Sequence, residues 1–393
     1  MIKHSLKLIW NQRKKNTYLI IELFLIFVLL FLNGTYLIEK GSYYLEGVGA
    51  NVEDVTYIRL EKKTPITPND LATFNALKNE LREMKTIENV SLNYRSTPYT
   101  YSMQRDKVKA GKHQLNCRIQ SVDDDYQKIF QSPITAGDWF TAKDTNNRIA
   151  PALITEKTAN YLFANESPLN KRITIGRDEF RIVGVLEKSK RNNYEKEQHA
   201  IIIPISRSNW LKENNLSELA IRSYSGQALN IQEVISHLRN YLPAKQYDIR
   251  QISEMTQMKT NANRFTKSDI LMSLGIMLFL IINMVLGMIG IIGYRVKLRR
   301  EEMAVRIAMG ATAKKVSQQI RVEMYLLCLL SIIPALLMAI QIPLLDLFPV
   351  DDSLFYIALG SAILFIYLLV AIAVWYPARS ILRIEPALAL KEE

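Results

Sequence analysis

Three acidic residues in a row, Asp123-Asp124-Asp125, could attract a cation. Their spacing matches no calcium loop, which spreads its oxygen ligands over a dozen residues around a glycine. The plainer reading is a set of solvated carboxylates at a helix start, favoured there by the helix dipole. Glu22 is a second candidate, because it stands inside an apolar run of membrane-spanning length. An intramembrane carboxylate invites a functional reading. Glu22 is also close enough to the basic end of its run to snorkel or to meet a base. His4, His113, His199 and His237 are scattered, and Cys117 and Cys328 fall in segments that cannot reach each other. Both cysteines read as small buried hydrophobes. No phosphate-cradling G-x-x-x-x-G-K-[ST], no G-x-S-x-G and no H-E-x-x-H occurs in the sequence. The N-x-[ST] triplets at Asn33, Asn165 and Asn215 read as chance: the first lies in an apolar run and the second is soon followed by Pro168. Basic residues do not cluster with aromatic ones, so no nucleic acid is expected as a partner. The expectation is a chain with no catalytic residue, no metal and no cofactor of its own.

What is left is a segment whose chemistry is contact. RREEMAVRIAMGATAKKVSQQIRVE, Arg299–Glu323, is charged and amphipathic yet lies between two long apolar runs. Met303, Ala304, Ile307, Ala308 and Ala311 share a helical face. Gly310 suits the left-handed residue that ends a helix, and Thr312 can cap a second helix running through Val316 and Ile320. So short a first helix is marginal alone and needs tertiary or partner contacts. The competing reading is a solvated basic surface holding anionic lipid.

The elements that carry these residues follow from hydropathy. Four runs, 18–38, 269–294, 322–345 and 354–376, each approach the ~20 apolar residues that cross a bilayer core. The fold expected is an α-helical membrane protein of four transmembrane helices. Between the first two lies a large α+β domain, 39–268, expected to have two lobes. The first run is too long for a signal-peptide core and is followed by no A-x-A site, so it reads as an uncleaved anchor. The leading segment 1–17 carries Lys3, Lys7, Arg13, Lys14 and Lys15, and the loop 295–321 is basic, whereas the hairpin 346–353 carries Asp346, Asp351 and Asp352 and no base. Positive segments stay inside, so both termini, including the tail 377–393, are expected to be cytoplasmic and the large domain outside. The formal charge of +12 owes much to this asymmetry.

Within the large domain, Val52–Lys62 reads as a strand and Thr67–Val90 as a helix. Strands are expected at Val90–Met103, Lys112–Val122 and Ala200–Ser206, a helix at Asp123–Phe130, a strand turning into a helix at Ala150–Ala164, and a helix at Asn230–Leu242. Lys171–Lys188 reads as a hairpin with Gly176-Arg177-Asp178 at its turn. Gln251–Asp269 is expected to continue into the second span as one helix. That span carries Gly287, Gly290 and Gly293, small residues that permit close helix approach. Packing against this chain's own spans and packing against another subunit are both open. Pro334 and Pro343 should bend or break the third span.

Three stretches carry a family resemblance. Arg300, Glu301, Ala304, Arg306, Ala308, Gly310, Ala311 and the later Glu323 are similar to a family loop of the form Arg-Glu…Arg-x-Ala-x-Gly-Ala. Pro377-Ala378 and Pro386-Ala387…Leu390 resemble a "PA…PA.AL" ending. The run ITAGDWFTAKD…NKRITIGRDEFRIVGVLEK…AIIIPIS resembles the core of an outer domain. Together these resemble the FtsX-like permeases of ATP-binding-cassette systems, with a MacB-type periplasmic core. The resemblance implies a bacterial inner-membrane permease without a fused ATPase. ATP and Mg would be bound by a separate cytoplasmic ATPase subunit. It also implies a second permease chain, identical or not, membrane lipid, and in some systems a periplasmic adaptor and an outer-membrane channel. The loop helix, with Arg300, Glu301, Glu302, Ala304, Arg306, Ala308, Gly310 and Ala311, would be the ATPase-coupling helix. Export of peptides, antibiotics or other amphiphiles by mechanotransmission is the activity implied. Lipoprotein release and non-transporting control of an envelope hydrolase share the architecture.

Overall fold

The computed structural model describes residues 2–141, 143–144, 147–164, 166–208, 215–345 and 351–380. The hairpin residues 346–350, with Asp346, and the tail motif Pro386–Leu390 lie outside the described residues. The chain divides into two compact units: residues up to Ser42 together with those from Lys267 onward, and Tyr43–Thr266. It opens with α1 (Ile2–Asn11) and the long α2 (Arg13–Glu46). Asn16, fully buried, donates to the carbonyl of Ile9 at 2.9 Å and so ties the two helices across their break.

The large unit runs β1 (Val55–Lys62), α3 (Pro68–Arg82), β2 (Ile87–Tyr94), β3 (Arg105–Ala110), β4 (His113–Val122), α4 (Tyr126–Phe130), β5 (Ile134–Gly137), β6 (Ala150–Thr155), α5 (Glu156–Phe163), β7 (Arg172–Ile175), β8 (Asp178–Leu186), β9 (Ala200–Pro204), β10 (Leu216–Ser223), α6 (Ile231–Tyr241) and β11 (Tyr247–Glu254). One sheet holds all the strands, and β4 is its junction. On one side the order β4-β2-β10-β1-β11 is antiparallel throughout. On the other, the pairings β4-β3-β7-β8-β6-β9 return to β4, closing a ring of six strands. Closure removes exposed strand edges.

The two-residue period of a strand sorts the cores. Ile58 and Leu60 of β1, with Leu219 and Ile221 of β10, face α3 and α6 and meet Phe74, Leu77, Leu81, Val234 and Leu238. Tyr57 and Ala220, on the opposite face, meet Tyr126, Phe130 and Met255. The ring is filled by Val108, Ile119, Ile154, Ile173, Phe180 and Ile201, with Cys117 buried among them. Full burial of such a side chain is worth about 1.5–3 kcal/mol.

Three sequence expectations change here. The helix expected through Val90 ends at Arg82, and Ile87–Tyr94 is the strand β2. Its Val90 and Leu92 are completed only by β10 and α3, which are remote in sequence. The strand expected over Val90–Met103 stops at Tyr94, because Arg95 turns to a φ of 50°. Gln251–Glu254 belongs to β11, so the long helix starts at Met255.

The remaining helices are α7 (Met255–Leu298), which belongs to the large unit up to Thr266 and to the membrane unit from Lys267, α8 (Arg300–Ala308), α9 (Ala313–Leu344) and α10 (Asp352–Ser380). Helices α2, α7, α9 and α10 are each long and apolar enough to cross a membrane. With 44 residues, α7 is about 66 Å long, about twice a hydrocarbon core. Helix α9 runs unbroken through Pro334 and Pro343, where the sequence suggested a bend or break. Neighbouring helices and local backbone adjustment let transmembrane helices tolerate proline. Leu23, Phe27, Met288, Leu327, Ile366 and Val370 form the centre of this unit, and Cys328 is buried with them. Ser317, also buried, donates to the Ala378 carbonyl at 2.8 Å and joins the start of α9 to the end of α10.

Candidate functional site

Helix α8 is one short element between two spans, and its ends are set by side chains the sequence placed. Gly310 has a φ of 99°, a conformation in which an L side chain is strained. Its N–H meets the Ile307 carbonyl at 3.0 Å, and the Ala311 N–H meets the Arg306 carbonyl at 2.9 Å. This pair of bonds is the Schellman closure, satisfying carbonyls the helix would otherwise leave open. Thr312 then caps α9, its hydroxyl accepting from the Lys315 N–H at 3.4 Å. The chain therefore reverses within three residues, and α8 is held beside the first turns of α9.

Five polar side chains lock that arrangement into a closed ring. Arg299 pairs with Glu302 at 3.0 Å and with Glu323 of α9 at 3.1 Å. Glu302 pairs with Arg306 at 2.5 Å, and Arg306 donates to Gln319 at 3.1 Å. Gln319 donates to Glu323 at 3.1 Å, returning to the start. Burial works against the Arg299 charge, but Glu302 and Glu323 outweigh it and hold the guanidinium above its ordinary pKa. Below the ring, Met303 is 3% exposed and Ala304 fully buried, Met303 packing with Val316 and Ile320.

The proposed coupling residues thus divide into two groups. Ala304 is a packing residue, and Glu302 and Arg306 hold the helix to its own chain. Ala308 and Gly310 are exposed and Ala311 is half-buried. Val305, Ala308 and Met309 stand at i, i+3 and i+4 on one face, with Val305 at 42% and Met309 at 76% exposure. That face is the exposed apolar surface of α8. The side chains of Arg300 and Glu301 lie outside the described residues. Arg299 and Gln319 were missed in the sequence. The spacing Arg299–Glu302–Arg306 was a legible signal for an ion-pair face, whereas Gln319 acquires its role only when α9 folds back.

In the spans, Glu22 and Gly287 turn out to be one feature. A Cβ on Gly287 would stand 2.7 Å from Glu22 Oε1, so α7 has no side chain where the carboxylate of α2 lies against it. About 20 Å further along the same two helices, Ser273 donates to Asn33 at 2.8 Å. A Cβ on Gly290 or Gly293 would meet nothing within 4 Å among the described residues. Helix α7 is also the least covered span, 17% of its apolar window being buried against 33–44% for the others.

The Asp123–Asp125 cluster is internal rather than solvated. Asp123 and Asp125 are 9% and 5% exposed. Lys78 pairs with both, at 2.9 Å to Asp125, and Arg82 and Lys128 also pair with Asp125. Asp123 further accepts from Ser91 and the Leu92 N–H. Burial opposes the Asp125 charge, yet Lys78, Lys128 and Arg82 bring its pKa down to about 2. Protein cations thus pair with Asp123 and Asp125, and the cluster joins α3 to the β2–β4 pair.

Comparison with known families decides the identity. Residues 34–238 match the model of the MacB-like periplasmic core domain, and residues 274–386 match that of the FtsX-like permease C-terminal domain. The chain belongs to the MacB-like, FtsX-like permease family. Among curated relatives of this permease chain is "Macrolide export ATP-binding/permease protein MacB 2" of Aeromonas hydrophila. It is 26% identical over 299 residues, 74% of this chain and 44% of the relative. Another is "Pyoverdine export ATP-binding/permease protein PvdT" of Pseudomonas syringae pv. syringae, 23% identical over 356 residues, 86% and 51% of the two chains. The chain spans about half the length of the curated relatives it matches. Among solved structures, the periplasmic region of MacB from Actinobacillus actinomycetemcomitans aligns at 14% identity over 54% of this chain and 94% of that one, with a TM-score of 0.39. The extracellular domain of the noncanonic ABC-type transporter YknZ from Gram-positive bacteria aligns at 15% identity, 50% and 100% coverage and a TM-score of 0.35.

Proposed function

We propose that this chain is the permease subunit of an ATP-binding-cassette exporter. It sits in the bacterial inner membrane with both termini cytoplasmic and the large domain outside. A separate ATPase subunit binds ATP and Mg and docks on α8. A second permease chain completes the transporter, and a periplasmic adaptor and outer-membrane channel extend it. The cargo class is peptides, antibiotics or other amphiphiles, handled outside the membrane by movement of the large domain. The curated relatives named as macrolide and pyoverdine exporters support the export reading. The basic residues of the 1–17 and 295–321 segments support the orientation.

The observation that carries the proposal is the exposed Val305–Ala308–Met309 face on a helix clamped by the Arg299–Glu302–Arg306–Gln319–Glu323 ring. A push on that face moves α9 with α8, because the ring leaves little room for independent motion. Met309→Asp is the test. The substitution adds a charge at an exposed site, so insertion and folding persist. ATPase that co-purifies with the membrane-extracted wild type should be lost from the variant. An ATPase retained in full, or none with the wild type, overturns the docking assignment.

A further inference from the structure

Carboxylates and cations of the large domain are paired at many points, but one cleft of about 530 Å³ departs from that balance. Arg148, Arg172, Arg177 and Arg207 line it, against Asp178 and Glu179. Arg172 reaches Glu179 at 3.5 Å, and Arg207 donates to the Asn147 carbonyl at 2.8 Å. Arg148 and Arg177 are exposed and make no hydrogen bond or ion pair among the described residues. The register between β7 and β8 sets Arg172 directly opposite Arg181, which does not itself line the cleft. Like charges opposite each other across a sheet are destabilising. The two strands are held by Ile173, Ile175, Phe180 and Ile182 on their inner face, so the fold does not require the outer arginines.

All four cations in the cleft are arginine. Guanidinium forks match carboxylates in bidentate geometry, and they lose less hydration than ammonium groups in doing so. They come from four separate segments: the loop before β6, strand β7, the β7–β8 turn and the turn after β9. A single small anion engages one or two guanidinium forks, whereas a cleft lined by four suits several carboxylates carried on one chain. Charged walls do not suit the apolar body of an amphiphile. We infer that this cleft binds an acidic peptide segment, a run rich in aspartate or glutamate, presented on the side of the membrane where the large domain lies. The inference uses residues of the large domain alone and stands independently of the exporter assignment.

The test uses the full chain in nanodiscs and a fluorescein-labelled oligo-glutamate peptide, followed by anisotropy. Wild type should bind saturably, more weakly as salt rises, and should not bind oligo-lysine. Arg148→Glu with Arg177→Glu alters two side chains that have no hydrogen-bond or ion-pair partner among the described residues and should weaken the affinity about tenfold or more. The neutral pair Arg148→Gln with Arg177→Gln should fall between. Absence of saturable binding to wild type overturns the inference, as does equal binding by wild type and both double variants. Displacement of the peptide by free glutamate or inorganic phosphate at matched charge also overturns it, by showing a single-anion site.

Discussion

Asp70 shows what one side chain can fasten. It forms the capping box of α3 with Thr67 and also accepts from Lys62 at 2.6 Å and Tyr247 at 2.5 Å, tying the helix to β1 and β11. Burial alone would raise its pKa, but Lys62, Thr67 and Tyr247 outweigh burial and bring it to about 2. A carboxylate whose folded pKa is below the unfolded value of about 4 contributes stability above that value. The contribution disappears as pH falls toward about 2. Asp70→Asn should therefore lower stability at neutral pH by about 1–3 kcal/mol. Denaturant titrations across pH should show the gap to wild type closing between about pH 4 and pH 2. A gap that stays constant with pH would show that the ionised carboxylate is not the stabilising species. The helix start at Thr67 was legible in the local sequence, but Asp70 was not singled out. Its bonds to Lys62 and Tyr247 depend on strands that the sheet, not the local sequence, brings alongside.

At the scale of the element, α8 owes its position to a turn and a ring. Gly310→Ala puts a Cβ at a φ of 99° and should cost about 1 kcal/mol or more locally. Arg299→Ala leaves Glu323, 11% exposed, without its cation, and breaking a pair this buried costs about 3 kcal/mol or more. Both variants should make the Arg299–Thr312 loop more sensitive to protease added to permeabilised membranes, while Met309→Asp should not. Equal sensitivity of all three would mean that the ring does not hold the helix. The turn was readable because Gly310 and Thr312 are local signals. The ring was half readable, since Arg299, Glu302 and Arg306 are neighbours on one helix and Glu323 is a turn-by-turn neighbour of Gln319 on another.

At the scale of the whole molecule, Gly287, Gly290 and Gly293, three of the four glycines of α7, have different roles. Gly287→Leu collides with Glu22 of the same chain and should lower the folded yield or thermal stability of the monomer. Gly290→Leu and Gly293→Leu meet open space within the chain, so the monomer should be unaffected. If α7 is where two permease chains meet, these two substitutions should weaken association, read as a fall in crosslinked dimer in native membranes. An unchanged dimer with either substitution would place the interface elsewhere.

Hydropathy alone determined the four spans and the interposed domain, because a bilayer demands about 20 apolar residues wherever a helix crosses it. Local chemistry also determined the α8 turn, where glycine and threonine act within a few residues. The large domain was less legible. Strand β10 went unread, because Leu216–Ser223 carries Glu218 and Arg222 in what proves to be a central strand. Both charges are buried and satisfied from afar: Glu218 by Tyr57, Ser96 and Thr97, and Arg222 by the carbonyls of Ile129, Glu53 and Asn51. Buried charges are tolerated only where such partners converge. Tertiary structure alone decided that convergence, the closure of the six-strand ring through β4 and β9, and the meeting of Glu22 with Gly287. Each joins residues that no local period relates, and each exists only once distant segments have paired.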